Sequence, residues 1–186
     1  MTASLHPPAK RARLSALAVL LVWFLSCPAV ATAEEVITEY QVKAAFLYNF
    51  SHFVSWPASP ENTFRLCVIG ENPFGQILDA LIGKPVNNSI LVVEQHSSLE
   101  KIHDCQLVYI SYSLKPRLNM ILAELADHPI LTVSDIESFT DAGGMIELWL
   151  SDNKVRFEIN TSAAEHAGLS ISSKLLSLAT RVKKGQ

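Results

Sequence analysis

The chain has 186 residues, 49% of them apolar, and a net charge of −3 from 15 basic and 18 acidic side chains. That length supports one well-cored domain once a leader is removed, and not two. A mildly acidic chain without a Lys/Arg run in its body has no electrostatic hold on nucleic acid or an anionic membrane, so both partner classes are set aside.

Lys10, Arg11 and Arg13 form a positive n-region, and the run LSALAVLLVWFL from Leu14 to Leu25 is an apolar h-region. Pro28 breaks it, and Ala31 and Ala33 then supply small residues at the −3 and −1 positions of a cleavage site. The apolar run is shorter than the roughly 20 residues a membrane span requires. Residues 1–33 are therefore read as a cleaved signal peptide, Glu34 as the first mature residue, and 34–186 as one exported, periplasmic domain. Phe24-Leu25-Ser26-Cys27 offers a competing reading, with Cys27 as a lipidated first residue. Phe24, where such signals usually carry Leu, and the Ala-x-Ala site downstream favour ordinary cleavage. Loss of Lys10, Arg11 and Arg13 takes the net charge to −6, with 12 basic side chains against 18 acidic ones.

The mature chain opens with a helix expected over 36–54. Apolar residues recur at Val36, Tyr40, Ala44, Leu47 and Val54, and Phe46, Phe50 and Phe53 broaden the stripe. Pro57 ends it and makes Trp56 extended. Strand-like runs follow at 64–70, 90–94, 105–111 and 130–133. Between them, helices are expected from Asn72-Pro73 to Gly83, with Asn72 as N-cap, and over 115–126, with one helical turn at 98–102. Two alternating runs, Met145–Leu150 and Lys154–Ile159, flank the polar Ser151-Asp152-Asn153 and read as a β-hairpin. A final helix is expected over 173–182. The pattern predicts a single-domain α/β fold, an open mixed sheet flanked by helices with a C-terminal hairpin.

Two cysteines survive cleavage, Cys67 and Cys105, each in a strand-like run. In an oxidising compartment an isolated pair points to one disulfide, two buried free thiols being the alternative. Gly70-Glu71-Asn72-Pro73-Phe74-Gly75 stands between strand and helix, yet lacks the Lys and Ser/Thr of a phosphate loop. His52, His96, His103, His128 and His166 show no metal-ligand spacing, and no Gly-x-Ser-x-Gly elbow is present. Asp79, Asp104, Asp135 and Asp141 fall near element ends, where caps and turns account for them. No catalytic residue, metal ligand or cofactor is assigned.

Lys43-Ala44-Ala45-Phe46-Leu47-Tyr48-Asn49-Phe50, continuing to Trp56-Pro57, resembles the opening signature of the YfiR family of periplasmic proteins. So do Cys67-Val68-Ile69-Gly70, Leu131-Thr132-Val133-Ser134-Asp135, Gly143-Gly144-Met145-Ile146, Val155-Arg156-Phe157-Glu158-Ile159-Asn160 and the segment from Gly168 to Leu176. The resemblance implies a non-enzymatic exported regulator that represses an inner-membrane diguanylate cyclase by binding its periplasmic part. Such repression lowers cyclic di-GMP and limits biofilm. It further implies an outer-membrane lipoprotein in the same system and a homodimer. The characterised repressor carries two disulfides, whereas this mature chain can form one, Cys67–Cys105. The rival reading is a small-ligand-binding component of an envelope sensor or transport system, with a pocket near Gly70–Phe74 or Ser111–Leu114.

A partner surface is expected on the C-terminal hairpin and the segment after it. Phe157 and Ile159 should point into the core and Glu158 outward, while Leu169 and Ile171, near Ala163 and Ala164, would form a partly exposed patch. Packing of Leu169 and Ile171 on the last helix is the alternative. The helix around Tyr48 and His52 is the next candidate surface. Intact-mass analysis of protein released from the periplasm should show a chain starting at Glu34. A chain starting at a diacylated Cys27 would refute ordinary cleavage.

Overall fold

The computed structural model describes residues 38–57 and 62–184. The expected leader and its expected cleavage residues Ala31, Ala33 and Glu34 lie outside the described residues. Helix α1 (Glu39–Phe53) starts from Thr38, whose hydroxyl accepts from the Gln41 N–H while the Gln41 side chain accepts from the Thr38 N–H, a capping box. Its buried face, Ala44, Leu47 and Phe50, is the expected stripe, joined by two polar residues, Lys43 and Ser51. A short strand β1 (Val54–Ser55) follows.

The sheet is built from β2 (Thr63–Ile69), β3 (Pro85–Val86), β4 (Ser89–His96), β5 (Leu107–Ile110), β6 (Leu131–Ser134), β7 (Ile146–Ser151), β8 (Lys154–Asn160) and β10 (Arg181–Lys183). Strand order is β10-β8-β7-β6-β5-β2-β4-β3. β4, β2, β5, β6 and β7 run parallel, and β7–β8 is the expected antiparallel hairpin. Its two-residue turn places Asp152 and Asn153 at φ 50° and 56°, the left-handed pair that matches the twist of the strands. Alternation buries both faces. Phe64, Leu66 and Val68 pack with Leu47 and Phe50 of α1, while Cys67 and Ile69 pack with Ile121 and Leu125 of α2 (Leu118–Leu125). The fold is the expected α/β class, an open mixed sheet between helices.

Several elements depart from expectation for identifiable reasons. Asn72 caps no α-helix. Its carboxamide accepts from the Phe74 N–H at 2.9 Å, and Gly75 at φ +55° ends any right-handed turn, leaving only a 3₁₀ helix over Ile77–Leu81. Cys105 precedes β5, at the end of the 3₁₀ turn Ile102–Asp104. The helix expected from 115 begins as a 3₁₀ segment, Tyr112–Arg117, that contains Pro116. The last helix also stops early. After α3 (Thr161–His166), β9 (Ser170–Ile171) and α4 (Ser173–Leu178), the chain turns at Ala179 and adds β10 as a parallel edge strand on β8.

That edge strand corrects the placement of Glu158, which is 6% exposed rather than outward. The Arg181 guanidinium lies 2.6 Å from its carboxylate and the Thr140 hydroxyl donates to it. Desolvation pulls the Glu158 carboxyl upward, but the hydrogen bonds from Arg181 and Thr140 outweigh it and hold the group below the usual carboxylate range. Glu147, paired with Glu158 across the hairpin, moves the other way, raised mainly by burial.

Gly144 shows how tightly the turn before β7 is closed. A Cβ there would overlap the ring of Phe139, which is fully buried among α2-side residues. Gly144→Ala should therefore destabilise the protein by about 1–3 kcal/mol in chemical denaturation, the usual range for overpacking. A stability equal to wild type would show that Phe139 can move aside.

Candidate functional site

Lys43 is the least expected buried residue, because an ammonium on a helix's apolar stripe must meet opposite charge or neutralise. It meets two carboxylates. Its Nζ lies 2.6 Å from Asp135 Oδ2 and 2.5 Å from Glu39 Oε1, four residues back on α1. Asp135 follows β6 directly, so the carboxylate stands at the carboxyl end of the central strands. The Tyr40 hydroxyl donates to the same Asp135 oxygen at 3.1 Å, and the Lys43 ammonium sits 4.6 Å from the Tyr40 ring centre. Burial, then the Asp135 charge, pushes the Tyr40 hydroxyl up to about 12.

Behind this pair stands Tyr109 of β5, fully buried, with its hydroxyl near Asp135 and without a hydrogen-bond partner among the described residues. Desolvation first, and Asp135 second, push its titration far upward. Both phenols are thus neutral donors at physiological pH. Two carboxylates against one ammonium leave the cluster with an excess negative charge.

Glu39, Tyr40, Lys43 and Asp135 line a cleft of about 240 Å³ together with Tyr112, Leu148, Trp149 and Leu150. Tyr112 is 60% and Leu150 48% exposed, so the rim presents an aromatic and an aliphatic side chain to solvent over a charged floor. The exposed Tyr112 suits binding, since aromatic anchors carry much of the energy of protein interfaces.

The residues expected to bind a partner lie elsewhere. Glu158 is buried under β10, and Leu169, 3% exposed, belongs to the main core. Ile171 is half-buried and pairs with Val54 in the two-stranded β1–β9 ribbon. Leu169, Ile171 and Leu176 border a groove of about 300 Å³. The structure therefore does not gather Glu158, Leu169 and Ile171 into one exposed patch. Tyr48 is tied down, its hydroxyl donating to the Pro85 carbonyl at 3.0 Å and its ring packed against His52.

The parallel strands follow the order in which a switch point falls between β2 and β5. That is where the small-ligand reading placed its pocket, and there the loops after β2 and β5 touch each other. Ser113 Oγ accepts from the Glu71 N–H at 3.0 Å and donates to Ser111 Oγ at 3.2 Å. A Cβ on Gly70, at φ +87°, would collide with Ser113 and Leu114. The expected disulfide is formed, Cys67–Cys105, with Cα atoms 6.1 Å apart.

A family profile described as YfiR/HmsC-like matches residues 40–180. The chain belongs to that family. The match spans every residue of the cleft except Glu39. Members of the YfiR/HmsC-like family are periplasmic regulators of diguanylate cyclase signalling in general. Among the described residues no helix is long and apolar enough to cross a membrane. The fold is also similar to the crystal structure of a conserved domain protein from Vibrio cholerae O1 biovar El Tor, at TM-score 0.53 and 13% identity. That alignment covers 78% of this chain and 60% of the Vibrio chain.

Sequence reasoning passed over Lys43 and Asp135, although both stood inside segments it singled out. Asp135 was assigned to capping. The usable signal was Lys43 itself, a charge three residues after Tyr40 and four before Leu47 on the apolar stripe. Asp135→Asn should cost about 3 kcal/mol in chemical denaturation, because it leaves the buried ammonium with Glu39 alone. The double variant Lys43→Met/Asp135→Asn should lose less than the two single losses summed. Additive losses would show that the pair is not coupled.

Proposed function

We propose that this protein is an exported regulator that binds the periplasmic part of an inner-membrane diguanylate cyclase and holds the enzyme inactive, lowering cyclic di-GMP. Membership of the YfiR/HmsC-like family is the observation that carries this reading. The contact surface proposed is the Lys43–Asp135 cleft with its rim of Tyr112, Trp149 and Leu150. The rigid ion pair fixes α1 against the sheet, so the rim is preorganised and little ordering entropy is lost on docking. An inhibitor of this kind needs only to favour one sensor conformation. A 10⁴-fold preference, about 5.5 kcal/mol, takes a switch from nearly all on to nearly all off.

The groove bordered by Leu169 and Ile171 is the second candidate surface, since Ile171 is the one member of the predicted trio that keeps notable exposure. The test compares Tyr112→Ala, Trp149→Ala and Ile171→Asp with the control Met120→Ser, an exposed α2 residue that lines neither surface. Each is scored for thermal melting and for cyclic di-GMP in cells carrying the cognate cyclase. Tyr112→Ala and Trp149→Ala should keep the wild-type melt and weaken binding tenfold or more, the size of a hot-spot loss. Loss of repression in Ile171→Asp alone would move the surface to the β9 groove. A wild-type protein that leaves cyclic di-GMP unchanged would refute the regulatory reading itself.

A further inference from the structure

The bridge between β2 and the turn before β5 has a third neighbour. His96 ends β4 and stands in register with Ile69, two residues beyond Cys67 on β2. A ring nitrogen of His96 and the sulfurs of Cys67 and Cys105 all lie within 4.8 Å of one another. The two cysteines are 0% and 2% exposed, and the His96 side chain, at 14%, is the part of the group that reaches solvent. Residues far apart in sequence thus meet as two sulfurs and one imidazole, the donor set of zinc and copper(I) sites.

His96 is also oriented for this. Its Nε2 lies 3.1 Å from Glu94 Oε2, and the other Glu94 oxygen accepts from Arg65 Nε at 3.1 Å. In the tautomer whose Nε2–H donates to that carboxylate, Nδ1 keeps the lone pair that a cation needs. A carboxylate behind a ligating histidine is the usual outer-shell arrangement of metal sites.

We propose that reduction of the Cys67–Cys105 disulfide converts this cluster into a binding site for a thiophilic d¹⁰ cation, Zn²⁺ or Cu⁺. A dithiol reductant supplies two electrons and two protons. The S–S bond breaks, two S–H groups form, and the reductant leaves as its own disulfide. The cation then displaces both thiol protons and binds two thiolates and the neutral imidazole. Tetrahedral zinc places sulfurs about 3.8 Å apart at a Zn–S distance of about 2.3 Å. The present 4.8 Å envelope and the 6.1 Å Cα separation accommodate that spacing through side-chain rotation. The bridged form offers no thiolate, so cation binding and the disulfide exclude each other. The site is independent of the regulatory reading above.

The test uses the full mature chain, reduced with a phosphine, freed of reductant without oxygen, and titrated with Co²⁺ as the optical probe of a zinc site. In parallel it is titrated with Cu⁺ against a chromophoric chelator. One equivalent of Co²⁺ should give thiolate charge-transfer and tetrahedral d–d bands that Zn²⁺ abolishes, or one equivalent of Cu⁺ should be withdrawn from the chelator. Either result supports the site and assigns its cation. The oxidised protein should do neither. Reduced His96→Ala, which leaves both cysteines in place, should bind at least tenfold more weakly. Reduced wild type that takes up neither probe, or His96→Ala that binds as tightly as wild type, would overturn the proposal.

Discussion

An ammonium buried between a helix and a sheet sets the terms for the rest of this molecule. Lys43 is 2% exposed, and a charge so placed is tolerated only with carboxylates held within bonding distance. Glu39 answers it from the same helix. Asp135 answers it from the end of β6, which ties the N-terminal helix to the carboxyl edge of the sheet. Hydrophobic packing alone lets a helix slide or rotate on a sheet face at modest cost. A buried ion pair does not, because displacement leaves each partner charged and dry. Register, helix orientation and the shape of the cleft therefore follow from one contact.

The cleft sits beside, not in, the crevice that this strand order usually offers to ligands. Ser111, Ser113 and Leu114 pack against Gly70 at the switch point between β2 and β5, and the cleft lies where Asp135 leaves β6. The rim is built from β7 and the 3₁₀ segment after β5, elements that meet only because β5, β6 and β7 are consecutive neighbours in the sheet. We propose this surface of exposed aromatic and aliphatic side chains over an ionised floor for a protein partner, in keeping with membership of the YfiR/HmsC-like family.

At the far edge, β10 is held by charge where a central strand is held by burial. Arg181 pairs with Glu158, and Lys183 lies 2.7 Å from Asp141 and also approaches the Thr140 carbonyl. These bonds fasten a three-residue strand whose side chains are largely in solvent. They also explain why Glu158, in an alternating strand that reads as half exposed, is covered.

Much of this was legible in the residues themselves. Periodicity located α1 and all five parallel strands, because a helix stripe and a buried strand are properties of a single segment. The hairpin followed from alternation around Asp152-Asn153, and the disulfide from two cysteines in an exported chain. Glu158 could not be placed that way, since its burial depends on a strand 23 residues later. Nor could the meeting of Lys43 with Asp135, or of His96 with Cys67 and Cys105. The sequence by itself determined what each segment buries, for that depends on local spacing. Only the tertiary structure decided which charged and sulfur-bearing side chains share a site, because long-range strand order, absent from any single window, brings them together.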